Sequence, residues 1–266
     1  MRHSEQQHEQ TALDQVELIR LKEVDSTNSY LRQYTTVEEV KEFVVAVAES
    51  QLAGRGQRGN SWESESGKNL TFSIAMRPDF LQANNQFVLS QAMALSVKET
   101  LDEYLDNIAI KWPNDIYWKE KKIAGILIEN ELIGKHIEHS IIGVGVNINQ
   151  REFHSNAPNP VSLWQITRET VEPETILHKI LKHFIFYYNL IRSGESNDLI
   201  YRYDRALFRR DGFHRYLNHK EAESDLKRGE TFEACIHHIE PDGHLILQTR
   251  SGETYAFGFK EVEFLF

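Results

Sequence analysis

The chain has 266 residues, of which 40 are acidic and 30 basic, giving a formal net charge of −10. Apolar residues make up 40% and charged residues 26%. That balance is ordinary for a globular protein, no apolar run is long enough to span a bilayer, and so acidic a chain is a poor non-specific binder of nucleic acid. The single cysteine, Cys235, excludes an internal disulfide framework and suits a reducing cytoplasm.

The length accommodates one large domain, or a medium one with a small companion. Residues 1–15, "MRHSEQQHEQTALDQ", are polar, lack the apolar core of a secretory signal and read as a frayed lead-in. "VELIRLKEVDSTNSYLRQY" follows as a short strand, a polar turn at Asp25–Asn28 and the start of a helix, with Asp25, Ser26 and Thr27 as N-cap types. "EFVVAVAES" (42–50) is continuously apolar and valine-rich, the pattern of a buried strand. It runs directly into "LAGRGQRGNSW" (52–62), a cationic loop with three glycines. "LTFSIAM" (70–76) alternates like a strand. Phe87, Ala94, Val97, Leu101 and Leu105 recur at helical spacing, with Asn84 or Asn85 as the cap. "IAIKW", "DIYW", "KKIAGILIE" and "HIEHSIIGVGVNIN" read as successive strands of one sheet, with turns at Glu120–Lys121 and Ile133–Lys135. The stretch Ile137–Ile142 is expected at an exposed sheet edge, open to a second copy or to a carrier. Helices are expected over Glu174–Ile191 and Asp198–Arg209. Beyond residue 223 short strands alternate with Pro-Asp-Gly and Ser-Gly turn signals, the pattern of a small β-barrel.

Three stretches carry chemistry. A Gly-Arg-Gly loop after a buried strand offers backbone N–H groups and a guanidinium fork to an anion, and Trp62 either stacks on a base or packs beneath it. The loop is neither a P-loop nor a dinucleotide fingerprint. In "KWPNDIYWKEKKIAGILIE", Pro113 and Asn114 turn the chain, Asp115 opens a strand, and Gly125 admits something close against the sheet. Lys119, Lys121 and Lys122 otherwise read as a solvated hairpin tip. In "GVGVNIN" the alternate glycines serve either core packing or ligand approach. The histidine spacings match no zinc site.

In this order, "EVDSTN", "GRG" and "KWPND…KIAGIL…GVGVN", followed by the small β-barrel, resemble the biotin protein ligase family from about Val16 to the C-terminus. The resemblance implies an α+β fold: a mixed or antiparallel sheet with helices on one side, as in class II synthetases, plus an SH3-like C-terminal β-barrel. It divides the chain into a flexible segment (1–15), a catalytic domain (16–223) and the barrel (224–266). It implies ATP and biotin as substrates with Mg²⁺ on the nucleotide, biotinyl-5′-AMP as intermediate, and transfer of biotin to a lysine of a biotin carboxyl carrier domain. Ser26, Thr27, Asn28, Gln51 and Gly125 would contact biotin. Arg55, Gly56, Gln57, Arg58, Trp62, Asn114, Asp115, Lys122 and Asn147 would contact the nucleotide or adenylate, with Lys122 and Arg55 catalytic. The family often has arginines where this chain has Gln57 and Asn60; Arg58 is a replacement cation for one of them. Some members carry an N-terminal DNA-binding module of about 60 residues, and the short, non-basic lead-in here implies the monofunctional form: cytoplasmic, free of nucleic acid and membrane, a monomer or weak homodimer. The alternatives are a lipoate or octanoate ligase or transferase of the same superfamily, which would favour a longer acyl tunnel and lacks the "GRG" loop, and a non-catalytic biotin sensor, which would not need the lysine.

Overall fold

The computed structural model describes residues 14–57, 60–155, 157–221 and 226–266. Seven strands form the main sheet: β1 (Val16–Val24), β2 (Phe43–Gln51), β3 (Leu70–Met76), β4 (Ile108–Lys111), β5 (Asp115–Trp118), β6 (Lys121–Ile133) and β7 (His136–Val146). Their order is β1-β2-β3-β7-β6-β5-β4. Only β1 and β2 run parallel; the rest is antiparallel, so the sheet is mixed as expected. The helices are α1 (Thr27–Val37), α2 (Phe87–Asp102), α3 (Leu163–Thr167), α4 (Pro173–Arg192) and α5 (Asn197–Arg205).

The continuous apolar run of β2 has a direct cause. Phe43 and Val45 face the large core beneath α2 and α4, while Val44 and Ala46 join Leu31, Ala75 and Ile141 in a second cluster beneath α1. Alternate side chains point to opposite faces, so a strand covered on both faces must be apolar at every position. This corrects one expectation: the helices do not all lie on one side, because α1 occupies the face opposite α2 and α4. It packs mainly on β2, β3 and β7, with Ile19 and Leu21 of β1 beside it, and the part of that face towards β6 and β5 carries the cleft.

Other differences are local. Gln86, after a 3₁₀ turn at Ala83–Asn85, takes the N-cap of α2 in place of Asn84 or Asn85. Ser26 is the N-cap of α1 but makes no capping bond with its side chain. The last long helix ends at Arg205, short of Arg209. The stretch Ile137–Ile142 is interior: β7 lies between β3 and β6, and Ile137 and Ile142 are fully buried. Strands β1 and β4 form the edges instead.

The C-terminal strands β8 (His214–Asn218), β9 (Thr231–Ile239), β10 (Leu245–Thr249), β11 (Thr254–Phe257) and β12 (Val262–Phe264) form a second, antiparallel sheet in the order β11-β10-β9-β8-β12. It matches the small SH3-like unit implied by the sequence and recruits β8, ahead of residue 224. The unit is fastened to the main sheet beside β4. The Trp112 indole N–H donates to the Gly243 carbonyl at 3.0 Å, and the Phe259 ring packs at 5.5 Å from Trp112 and 6.2 Å from Phe87.

Gly243 holds a left-handed backbone, φ 99°, and a Cβ there would lie 2.8 Å from Phe87 Cδ2. Gly243→Ala therefore combines backbone strain with overpacking and should cost about 1–3 kcal/mol. The expected reading is a lower urea midpoint at unchanged slope. An unshifted midpoint would show that this turn does not anchor the second sheet.

Candidate active site

The open part of the α1 face carries a cavity of about 760 Å³. Its floor follows from register. Gly125 pairs with Gly145 and with Asp115, Gly143 pairs with Ser73, Thr71 with Gly145, and Lys111 with Asp115. Paired residues share a face, so these positions form one surface. Lys122 joins it through a register shift. Residues three apart on a regular strand point to opposite faces, yet the irregularity between Ile116 and Tyr117 sets Lys122 opposite Tyr117, on the side of Gly125. The Lys122 ammonium then reaches Asp115 Oδ1 at 2.6 Å.

Side chains fill the volume the glycines leave free. The Trp62 indole lies over Gly125 and Gly145, where a Cβ on Gly145 would overlap it and one on Gly125 would sit 3.1 Å from Cζ3. The Asn28 amide occupies the space over Gly143. Lys122 Nζ is 5.7 Å from the centre of the Trp62 ring. The alternate glycines of "GVGVN" thus serve close approach from the cavity side.

One end of the cleft is a buried polar pocket. Gln51 Oε1 accepts from the Thr27 N–H at 2.8 Å and from Thr27 Oγ1 at 3.1 Å. Ser73 Oγ lies 2.6 Å from both Thr27 Oγ1 and Asn28 Oδ1, so its one proton serves one of them at a time. Asn28 Nδ2 donates to Glu129 Oε2 at 2.8 Å. Ser26, Thr27, Asn28 and Ser73 are all buried. Ser26 lines the cavity, its carbonyl accepting from the Tyr30 N–H.

The glycine loop folds over this end. The Gly56 N–H donates to Asn60 O at 2.7 Å and the Trp62 N–H to Gly54 O at 2.9 Å. Arg55 bonds Glu129 Oε2 at 3.1 Å, sharing that oxygen with Asn28, while Arg32 holds Oε1 at 2.9 Å. The structure therefore brings Arg55 to the polar pocket, apart from the Lys122–Asp115 pair. The Gln57 carbonyl accepts from Lys260 of the second sheet at 3.2 Å. Arg58 lies outside the described residues.

At the other end Asn114 lines the cavity while its amide donates to the Ile126 carbonyl, closing the turn. Asn147 donates through Nδ2 to Val161 O at 3.2 Å, and its buried Oδ1 has no partner among the described residues. Every described residue that the resemblance assigns to biotin or the nucleotide thus lines this cavity. Sequence reading missed Ser73, Glu129, Lys111 and Lys260, and also Glu63. The Glu63 carboxylate accepts from the backbone N–H groups of His154 and Ser155 and from Gln150 Nε2, tying the segment near Phe153 to the mouth. Among the described residues no three His, Cys, Asp or Glu side chains converge to hold a metal ion.

Fold and cleft together define a mixed-sheet α+β domain with a glycine loop over a side-chain-free floor and a small antiparallel unit at its mouth. Residues 21–147 match the Biotin/lipoate A/B protein ligase family. It is 37% identical over 139 residues to the bifunctional ligase/repressor BirA of Escherichia coli, covering 51% of this chain and 42% of that protein. It is 32% identical over 145 residues to the biotin–(acetyl-CoA-carboxylase) ligase of Paracoccus denitrificans, covering 52% of this chain and 60% of that one. These matches span about half the length of the curated relatives. The structure superposes on a biotin protein ligase from Aquifex aeolicus in complex with biotin and ATP, with a TM-score of 0.74 at 26% identity over 93% of this chain and 97% of that one.

Two outcomes check this geometry. Gly145→Ala should displace the Trp62 indole and change near-UV circular dichroism while leaving far-UV ellipticity in place; an unchanged near-UV spectrum would show the indole does not rest on the glycine floor. Glu63 concerns pH. Burial pushes its carboxyl up, but the hydrogen bonds from Ser155 and His154 outweigh this and hold it below the usual range. A depressed carboxylate contributes order that is present above its ordinary pKa, about 4.3, and lost as pH falls through the lower folded value. Hydrogen exchange at His154 and Ser155, corrected for intrinsic rates, should stay protected down to about pH 4 and open only below it, and a Glu63→Gln variant should lose the pH dependence.

Proposed function

We propose that the protein is a biotin protein ligase, which forms biotinyl-5′-AMP from biotin and ATP and passes the biotin to a lysine of a biotin carboxyl carrier domain. The observation that carries this reading is the pairing, in one cleft, of a buried amide-and-hydroxyl pocket with a lysine–carboxylate centre. Thr27, Asn28, Gln51 and Ser73 can donate to and accept from the ureido head group. The bicycle would sit beside Asn28, and its side chain would run along the glycine floor towards Lys122 once the Trp62 indole moves off that floor. There the biotin carboxylate attacks the α-phosphorus, the bond from that phosphorus to the bridging oxygen breaks, and pyrophosphate leaves with the electron pair. In the second step a carrier amine attacks the acyl carbon and AMP leaves.

Both steps build charge on phosphate or acyl oxygens, and a cation already aimed at that charge lowers the barrier without reorganisation. Lys122 occupies that position, and Asp115 fixes it until substrate arrives. Arg55, with Gly56 and Gln57, belongs to the loop that would cover the adenylate, tethered to Glu129 until substrate arrives, and a covered cleft excludes water from a hydrolysable mixed anhydride. The donor set fits a cation that arrives on the phosphates better than one caged by protein, with Asp115 the carboxylate beside Lys122; Mg²⁺ bound with the nucleotide would neutralise phosphate charge. By the same reading Trp62, Asn114 and Asn147 line the adenylate, the compact C-terminal unit begins before His214, and the enzyme works in the cytoplasm as a monomer or weak homodimer without nucleic acid.

The test is pyrophosphate release from ATP that depends on biotin and not on lipoate or octanoate, followed by label transfer to a carrier domain. Lys122→Ala should lower release about 100- to 1,000-fold with biotin affinity little changed. Release driven by lipoate would turn the assignment to the sister activity. Biotin binding without any release would turn it to a sensor.

A further inference from the structure

Lys111 sits at the end of β4, one strand beyond Asp115, and lines the cavity. Its ammonium lies 5.3 Å from the Tyr117 ring centre and 5.1 Å from that of Phe264. Among the described residues it makes neither a hydrogen bond nor an ion pair. Asp115, its register partner, is committed to Lys122. Ring faces are its nearest contacts, while Asp115 and Glu263 act on it only at longer range; a half-buried cation with no carboxylate bonded to it is completed by an arriving anion. Burial holds Lys111 below the usual lysine range, with the Lys122 charge adding to this and Asp115 opposing it. An arriving polyanion would reverse that balance.

We propose that Lys111 binds the polyphosphate of the nucleotide, holding its β and γ groups and the pyrophosphate as it leaves, while Lys122 serves the reacting α-phosphate and carboxylate. This rests on reading the cleft as an adenylating site. The two lysines flank one carboxylate, so each can meet a different part of a linear triphosphate. Lys111 belongs to the main sheet, but half of its cage is Phe264 of the second sheet. The C-terminal unit therefore shapes the polyphosphate end of the cleft, and its Val262 and Lys260 line the same cavity.

The two half-reactions separate this role from a structural one, because only the first contains a polyphosphate. Lys111→Met preserves stem volume between the rings, Lys111→Gln is a second neutral variant in case the first folds poorly, and Lys111→Arg restores the cation. In the neutral variants, biotin-dependent pyrophosphate release should fall about 100-fold or more, with a raised KM for ATP. Transfer from preformed biotinyl-5′-AMP to the carrier should stay within about threefold of the parent. Lys111→Arg should recover most of the release. Calorimetry with inorganic pyrophosphate alone should show binding to the parent protein that both neutral variants lose. Equal loss in both half-reactions, or neutral variants that still bind pyrophosphate, would overturn the role of Lys111. If the parent binds pyrophosphate through Lys111 but never releases it from ATP with biotin, the functional reading fails and the anion site stands.

Discussion

Three glycines on two adjacent strands keep one patch of the sheet bare, and the cleft exists because of that patch. Gly125, Gly143 and Gly145 are consecutive on the cavity face once β6 and β7 pair, and a Cβ on any of them would press on Trp62 or Asn28. Glycine weakens a strand by loss of side-chain packing, so the cost must be met by neighbouring order. The long β6–β7 ladder meets it, flanked by β3 and β5 and backed by Ile142, Val144 and Val146 in the main core. The bare patch can be soft in composition because its other face is among the most buried parts of the molecule.

Charge is arranged against the overall sign of the chain. A protein with net charge −10 places Arg55, Lys111, Lys122 and Lys260 around one cavity. Lys122 has Asp115 and Arg55 has Glu129. These internal partners keep the ligand-free site from collapsing on unpaired charge, yet each is a contact that a phosphate or carboxylate can replace. A phosphate or carboxylate that replaced either partner would exchange one anion for another rather than bury a new ion pair, which avoids much of the desolvation penalty.

Much of this was legible in the sequence because it depends on local pattern. The apolar run of β2, the exact span of β3 and the α4 helix follow from periodicity, and the glycine loop from composition. What stayed hidden depends on pairing between distant segments. Nothing local in "KKIAG" announces a register shift, although that shift alone brings Lys122 to the side of Gly125. The placement of α1 against the opposite face is a topological fact that its own apolar stripe does not encode. Lys111 looked like an ordinary strand lysine before "WPND"; its surroundings come from Tyr117 and from Phe264, 153 positions away by the numbering. Ser73 alternates as a small residue in a buried strand and acquires meaning only when Thr27 and Asn28 arrive above it.

The C-terminal unit is more than an appendage on this view. It reaches the cleft at three points of different character: the Trp112–Gly243 hydrogen bond that seats it, the Phe264 ring against Lys111, and the Lys260 bond to the backbone of the glycine loop at Gln57. Lys260 holds a left-handed backbone, φ 68°, in a turn fixed by the Gly258 N–H donating to the Glu261 carboxylate at 2.7 Å. A non-glycine residue in that region carries strain that the surrounding turn must hold, and here the turn places the side chain over the loop. The loop's own residue 57 is glutamine, without a charge to offer a phosphate. A cation supplied from the C-terminal unit to that same residue's carbonyl means that the loop backbone and the unit share one contact, so a displacement of either is felt by the other.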